Sequence, residues 1–237
     1  MELGVVNADL LKLLHSDTTY RVLFAKAFPG EASPFTIANV AKAIASFERT
    51  IVSVGSAYDR FHLLGEVDAI PEAAKRGEIL FYLDYGGPSC FRCHSGFNFS
   101  GAGFHNTGLY NVSGPFSYPA PNLGVYGHTK RTADVGKFKA PTLRNIALTA
   151  PYMHDGSIAT LEEVLDHYAA GGRTIASGPF AGVGHDNPVR DKLIHGFVMT
   201  SRNRADLVAF LNSLTDDAVI HDPRFTDPRP HSGLESR

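Results

Sequence analysis

The stretch PSCFRCHSGFNFSG, residues 88–101, holds both cysteines of the 237-residue chain, Cys90 and Cys93, with His94 directly after the second. Two thiols about one helical turn apart match the two vinyl edges of a haem, and the adjacent imidazole then projects under the iron. A zinc site would need further Cys or His at ligand spacing, but the chain has no other cysteine and no suitably spaced histidine pair nearby. A thioredoxin-like redox pair would open a helix in a βαβ setting, and strand patterns are scarce here. Two free buried thiols are the remaining alternative. The motif therefore predicts a covalently bound c-type haem held by Cys90 and Cys93, with His94 on the iron. Such attachment takes place outside the cytoplasm, so a periplasmic location is expected.

Composition supports a soluble globular chain: 43% hydrophobic and 19% charged residues, with a formal net charge of −2. That charge gives no electrostatic case for nucleic acid or an anionic membrane as partner. No apolar run approaches the roughly 18 residues of a membrane span, and no leader pattern opens the chain. Tryptophan is absent beside 16 Phe and 9 Tyr.

Working outward from the motif, the chain reads as mostly α. Residues 8–28 suggest two short helices broken near Ser16–Thr18. Thr36 is an N-cap, and Ile37, Val40, Ala41, Ile44, Phe47 and Ile51 fall on one stripe at helical spacing. Pro71 opens a further helix that leads into the cysteines. From about 96 to 139, Gly, Pro, Asn and Ser are dense and periodicity is lost. Loops that long are usually functional or disordered, and seven aromatics (Phe97, Phe99, Phe104, Tyr110, Phe116, Tyr118 and Tyr126) argue for a loop wrapped around a large flat apolar object. Thr160 and Glu163 form a capping box for a helix that stops at Gly171. A last helix carries Leu207, Phe210, Leu211 and Leu214 on one face, and a Pro-rich tail follows from Asp222.

Four stretches together resemble the bacterial di-haem cytochrome c peroxidase and MauG family: the haem motif, AIASFERTIVS (43–53), FKAPTLRNIALTAPYMHDGSIATLEEVLDHYAAGG (138–172) and DLVAFLNSLTD (206–216). FNFSGAGFHNTGLYN and YPAPNLGVY are most similar to its MbnH-like branch, which oxidises a tryptophan on a partner protein. The resemblance implies a c-type cytochrome domain with long irregular haem-wrapping loops. It divides the chain into a helical segment (1–62) linked to a first haem domain, a C-terminal haem domain (63–228) and a tail (229–237). Family members carry two haems and this chain has one motif, so it corresponds to the second haem domain. Met1 is accordingly expected to be a truncation point, with the peroxide-reacting haem and the inter-haem tryptophan upstream. Implied partners are hydrogen peroxide and a periplasmic protein substrate or electron donor.

The second axial ligand has three candidates. Tyr168 falls on the helix face of Val164 and Leu165; the resemblance points to it, because that position holds Met in the electron-transfer haem of the peroxidases and Tyr in MauG-like enzymes. A phenolate is a hard anionic donor that stabilises ferric and higher oxidation states. Met153 or Met199 would give thioether ligation and a mono-haem electron-transfer module without peroxidase activity. Also implied by the resemblance are Glu2 as acid/base at the first haem and Thr149 and Pro151 as carbonyl ligands of Ca²⁺. Arg144 pairs either with a haem propionate or in a structural salt bridge. His154 and Asp155 lie either on a path between haems or in a structural role.

Overall fold

A computed structural model describes residues 6–226. Glu2, named above as acid/base, lies outside the described residues. Those described divide into two compact units, 6–52 with 223–226, and 53–222.

The first unit holds helices α1 (Asn7–Ser16), α2 (Thr18–Ala27) and α3 (Ile37–Glu48). Asp17 separates α1 from α2 by accepting hydrogen bonds from the backbone N–H groups of Thr19 and Tyr20. Thr36 caps α3 through the N–H of Asn39. The apolar stripe of α3 is only partly as expected. Ile37, Ile44, Phe47 and Ile51 are exposed, and the buried residue of the helix is Asn39, whose amide donates to Glu31 and to the Pro34 carbonyl. Helical spacing fixes which residues share a face, but burial needs a second surface; in this unit Phe225 meets Phe47 edge-on at 6.1 Å and leaves the stripe exposed.

The second unit contains α4 (Ala57–Leu64), α5 (Glu72–Tyr82), α6 (Tyr126–Thr129), α7 (Leu161–Ala169), α8 (Ser201–Ser213) and α9 (Asp217–Ile220). Two antiparallel pairs of two-residue strands complete it: β1 (Phe104–His105) with β2 (Phe138–Lys139), and β3 (Thr174–Ile175) with β4 (Gly182–Val183). The long segment between the motif and β2 is irregular, as expected. Its aromatics behave differently from the expectation, however. Phe99, Tyr110 and Tyr118 are buried in the core cluster with Phe81, Phe210 and Leu207, while Phe97, Phe104 and Phe116 stay exposed.

The packing that frames the site is α5 against α8. The apolar face of α8 is buried as its spacing required, with Leu207, Phe210, Leu211 and Leu214 each at most 7% exposed. Arg76 on α5 grips Asp206 on α8 through its Nε and an Nη, at 2.8 and 2.7 Å. The helices come so close that a Cβ on Gly77 would overlap the Asp206 carbonyl and the Phe210 side chain. Gly77→Ala is therefore expected to destabilise the unit by about 1–3 kcal/mol, the usual cost of overpacking, although alanine is the better helix former. Urea denaturation would check this; an unchanged midpoint would mean that the helices can part freely.

Candidate functional site

Cys90 opens a single 3₁₀ turn, Cys90–Arg92. The N–H groups of Cys93 and His94 both donate to the Cys90 carbonyl, at 3.2 and 2.9 Å. This is the one-turn spacing that the motif required. Asp84 clamps the turn: its side chain takes Arg92 Nε and Nη at 2.7 and 2.6 Å, and the Ser89 hydroxyl donates to its carbonyl at 2.8 Å. On the other side, Gly101 donates its N–H to the Cys93 carbonyl at 2.8 Å, and a Cβ there would press on the same oxygen.

His94 is held by two backbone carbonyls, those of Phe99 and Pro141, each 3.1 Å from Nδ1. A carbonyl only accepts, so Nδ1 carries the proton and Nε2 keeps its lone pair free. Burial pulls the imidazole below its ordinary pKa, against the two carbonyl bonds that raise it, so the ring stays neutral. A neutral ring fixed through Nδ1 with a bare Nε2 is how proteins present histidine to a metal.

The motif opens onto a cavity of about 650 Å³. Its lining unites residues far apart in sequence: Cys90, Cys93 and His94 from the motif, Phe138 from β2, Met153 and His154 from the 151–157 turn, Val164, Leu165 and Tyr168 from α7, and Leu207 and Leu211 from α8. The wall is mostly apolar, which suits a flat macrocycle. Burial pushes the Cys90 thiol up to about 12 and the Cys93 thiol up to about 11. Neutral thiols in an apolar wall fit alkylation to thioethers and do not fit a thiolate metal centre. Among the described residues, no group of three or more His, Cys, Asp or Glu could hold a metal ion. The residues present therefore fit a haem.

Tyr168 faces the cavity from α7, whose start is set by reciprocal hydrogen bonds between Thr160 and Glu163. Burial holds its hydroxyl well above the ordinary phenol range, and the nearby Cys93 and Cys90 add to this. Its neighbour His167 is buried in a structural role, with Nε2 donating to the Thr107 carbonyl at 2.9 Å while Nδ1 accepts from the Arg173 N–H. Met153 also lines the cavity, from a left-handed backbone position of φ 70°. Met199 is not among the lining residues and packs against the core. Thr149 and Pro151 line the cavity too.

Arg144 reaches the cavity wall, but its fork is taken. Two Nη groups meet the Asp59 carboxylate at 2.8 and 3.0 Å, Nε donates to the Phe97 carbonyl at 3.0 Å, and the guanidinium lies 4.2 Å from the centre of the Phe97 ring. Asp59 was not singled out in the sequence. The signal was there: Ser56 and Asp59 make a capping box and Gly65 ends the helix, which together define α4.

The comparisons with known proteins agree with this geometry. A family profile described as di-haem cytochrome c peroxidase matches residues 1–68, and one described as RoxA-like, cytochrome c-like matches residues 137–170. The methylamine utilization protein MauG of Methylorubrum extorquens is 38% identical over 197 residues, which is 82% of this chain and 49% of that protein. The cytochrome c551 peroxidase of Nitrosomonas europaea is 37% identical over 155 residues, 65% of this chain and 43% of that protein. The crystal structure of a MauG-like protein associated with microbial copper homeostasis superimposes with a TM-score of 0.83 at 45% identity, covering 94% of this chain and 65% of that one. The chain thus spans about half the length of the curated relatives it matches. With a histidine bared at Nε2, two neutral thiols and an apolar cavity between them, the chain belongs to the di-haem cytochrome c peroxidase and MauG family of haem oxidoreductases.

Proposed function

We propose that this chain is the second haem domain of a periplasmic di-haem oxidoreductase that uses peroxide to oxidise a protein partner, or to draw electrons from one. The observation that carries this reading is the meeting of Cys90, Cys93, His94 and Tyr168 around one apolar cavity. Cys90 and Cys93 would hold the haem by thioether bonds, and His94, through Nε2, and Tyr168 are the residues that would bind its iron. Haem supplies a one-electron redox centre whose preferred oxidation state follows its axial ligands. The chain's own share is to orient His94 through the Phe99 and Pro141 carbonyls and to exclude water with Leu165, Leu207 and Leu211. An anionic oxygen donor at Tyr168 favours an oxidised centre that stores charge, which suits a partner side chain such as tryptophan as the substrate. Thr149 and Pro151 would contribute carbonyls to a Ca²⁺ ion, and the role proposed for Glu2 is acid/base at the first haem.

The test is chemical. After expression with a cytochrome c maturation system, the haem is expected to stay with the protein through acid–acetone extraction and to give a haem c pyridine haemochrome. Cys90→Ala/Cys93→Ala should lose it. Extractable haem in the unaltered chain would overturn covalent attachment. The second reading, an electron-transfer module with Met153 on the iron, is favoured by that residue's place in the cavity wall. A ferric sulfur-to-iron band lost in Met153→Leu would support it against Tyr168.

A further inference from the structure

One wall of the cavity leads on to a tyrosine that the proposed site does not use. Phe138 and His154 both line the cavity and stack on one another, with ring centres 3.8 Å apart and planes within 10°. Behind them, the Tyr110 ring meets the His154 ring edge-on at 5.7 Å. On its far side Tyr110 meets Phe180 at 4.8 Å, in the loop joining β3 to β4. The aromatic contact is thus unbroken from cavity wall to hairpin.

The Tyr110 hydroxyl is equipped for more than packing. It donates to Asp155 Oδ2 at 2.7 Å and accepts from the Asn122 amide at 2.9 Å. Tyr110 is 6% exposed, whereas Asp155 is an exposed residue. Its carboxylate oxygen accepts from the phenol at 2.7 Å and is a proton acceptor already within transfer distance of a buried tyrosine. Between Tyr110 and the cavity, His154 Nε2 is buried with no hydrogen-bond partner among the described residues, so no competing bond fixes that ring away from the path.

We infer that Tyr110 is a redox-active tyrosine, an electron relay between the haem cavity and the protein surface, with Asp155 as its proton acceptor. This rests on the proposed function, which supplies the oxidant: a haem centre one electron more oxidised than its resting state. Tyr110 yields one electron to that centre across His154 and Phe138, and its phenolic proton passes to the Asp155 carboxylate. The products are a neutral tyrosyl radical, a carboxylic acid and a centre reduced by one electron. An electron arriving from a donor outside the chain reverses the step, and the proton returns from Asp155 to the phenol.

A half-buried tyrosine with a carboxylate partner is the natural control. Tyr58 donates to Glu78 at 3.2 Å, but that carboxylate is shared with His62 at 2.9 Å. Tyr58 also meets no ring of the cavity wall directly: Phe99 and Phe210 stand between it and Phe81, which lines the cavity.

In the haem-loaded chain, laser flash–quench oxidation with a ruthenium photosensitiser, followed by freeze-trapping, is expected to give a neutral tyrosyl signal in electron paramagnetic resonance. Tyr110→Phe should abolish the signal and Tyr58→Phe should keep it, with haem content and optical spectrum unaltered in both. Asp155→Asn removes the proton acceptor and should slow radical formation by about 100-fold, the lower range of such assistance. A chain that holds haem and gives no tyrosyl signal, or keeps it in Tyr110→Phe, overturns the relay alone. A chain that retains no covalent haem overturns the relay together with the function it rests on.

Discussion

Replacing Arg144 with methionine is expected to cost about 3–5 kcal/mol of folding stability at neutral pH, the range for breaking a buried ion pair by removing one partner. Arg144 and Asp59 have side chains 6% and 3% exposed and lie 2.8 Å apart. Methionine keeps much of the aliphatic volume but leaves the carboxylate in a dry site with only Ser56 to answer it. In the unaltered protein, burial acts to raise the Asp59 pKa, yet the bonds from Arg144 and Ser56 prevail and it sits below the usual carboxylate value. A depressed folded pKa contributes stability that is present above the unfolded value of about 3.9 and is lost as pH falls through the folded one. Without Arg144 only the Ser56 bonds oppose the burial effect, so the Asp59 pKa is expected to rise. The difference between the two proteins should then be full at neutral pH, shrink as pH falls through the higher folded pKa of the variant, and vanish only below the depressed folded pKa of the unaltered protein, where Asp59 is protonated in both. Asp59→Asn in the Arg144→Met background should recover part of the loss, because no buried charge is left unpaired. Chemical denaturation of the three variants across pH measures all of this. A midpoint that Arg144→Met does not move would mean that the pair adds nothing to the fold.

The same pair marks the limit of what the sequence carries. Local chemistry was legible: Cys90, Cys93 and His94 form one turn, Thr160 and Glu163 cap α7 reciprocally, and the Leu207, Phe210, Leu211 and Leu214 face is buried. Each is decided within a few residues. Arg144 and Asp59 stand 85 positions apart, and nothing at either position names the other. From residue types alone Arg144 stays open between a propionate and a salt bridge, and the structure gives it the salt bridge. The Asp84 clamp on Arg92 and Ser89 was missed although it lies within eight residues of the motif. Its geometry depends on Ser89 taking a left-handed backbone, φ 50°, which residue type does not announce.

The aromatics of the long loop teach a related lesson. Their density argued for a loop wrapped around an apolar object, but density cannot tell lining from support. Of the loop's rings, Phe99, Tyr110 and Tyr118 are in the core behind the cavity, and Phe138, at the loop's very end, is the one that reaches the wall. The stripe on α3 shows the converse: periodicity identified a face, while burial depends on what stands opposite.

Tyr168→Phe is expected to have the largest effect on the cofactor with the least effect on the fold. The substitution removes a single oxygen from a side chain whose ring already packs beside Val164 and Leu165 along the cavity wall. That oxygen lies near both cysteines, on the wall of the cavity that the motif also lines. The phenylalanine variant should therefore leave haem attachment and thermal stability in place while shifting the ferric optical and electron paramagnetic resonance spectra. Tyr168→Met should go further. A thioether stabilises the ferrous state where an anionic oxygen stabilises the ferric one, so the midpoint potential should rise on the order of 0.1 V, within the roughly 0.8 V that axial ligands span. Potentiometric titration of the haem-loaded variants reads this directly. If both variants keep the parent spectrum and potential while Met153→Leu changes them, the iron is bound by sulfur and the domain passes electrons on. If Tyr168 alone moves them, the domain is built to hold an oxidised centre in place, and Tyr110 stands where an electron drawn from the surface would enter.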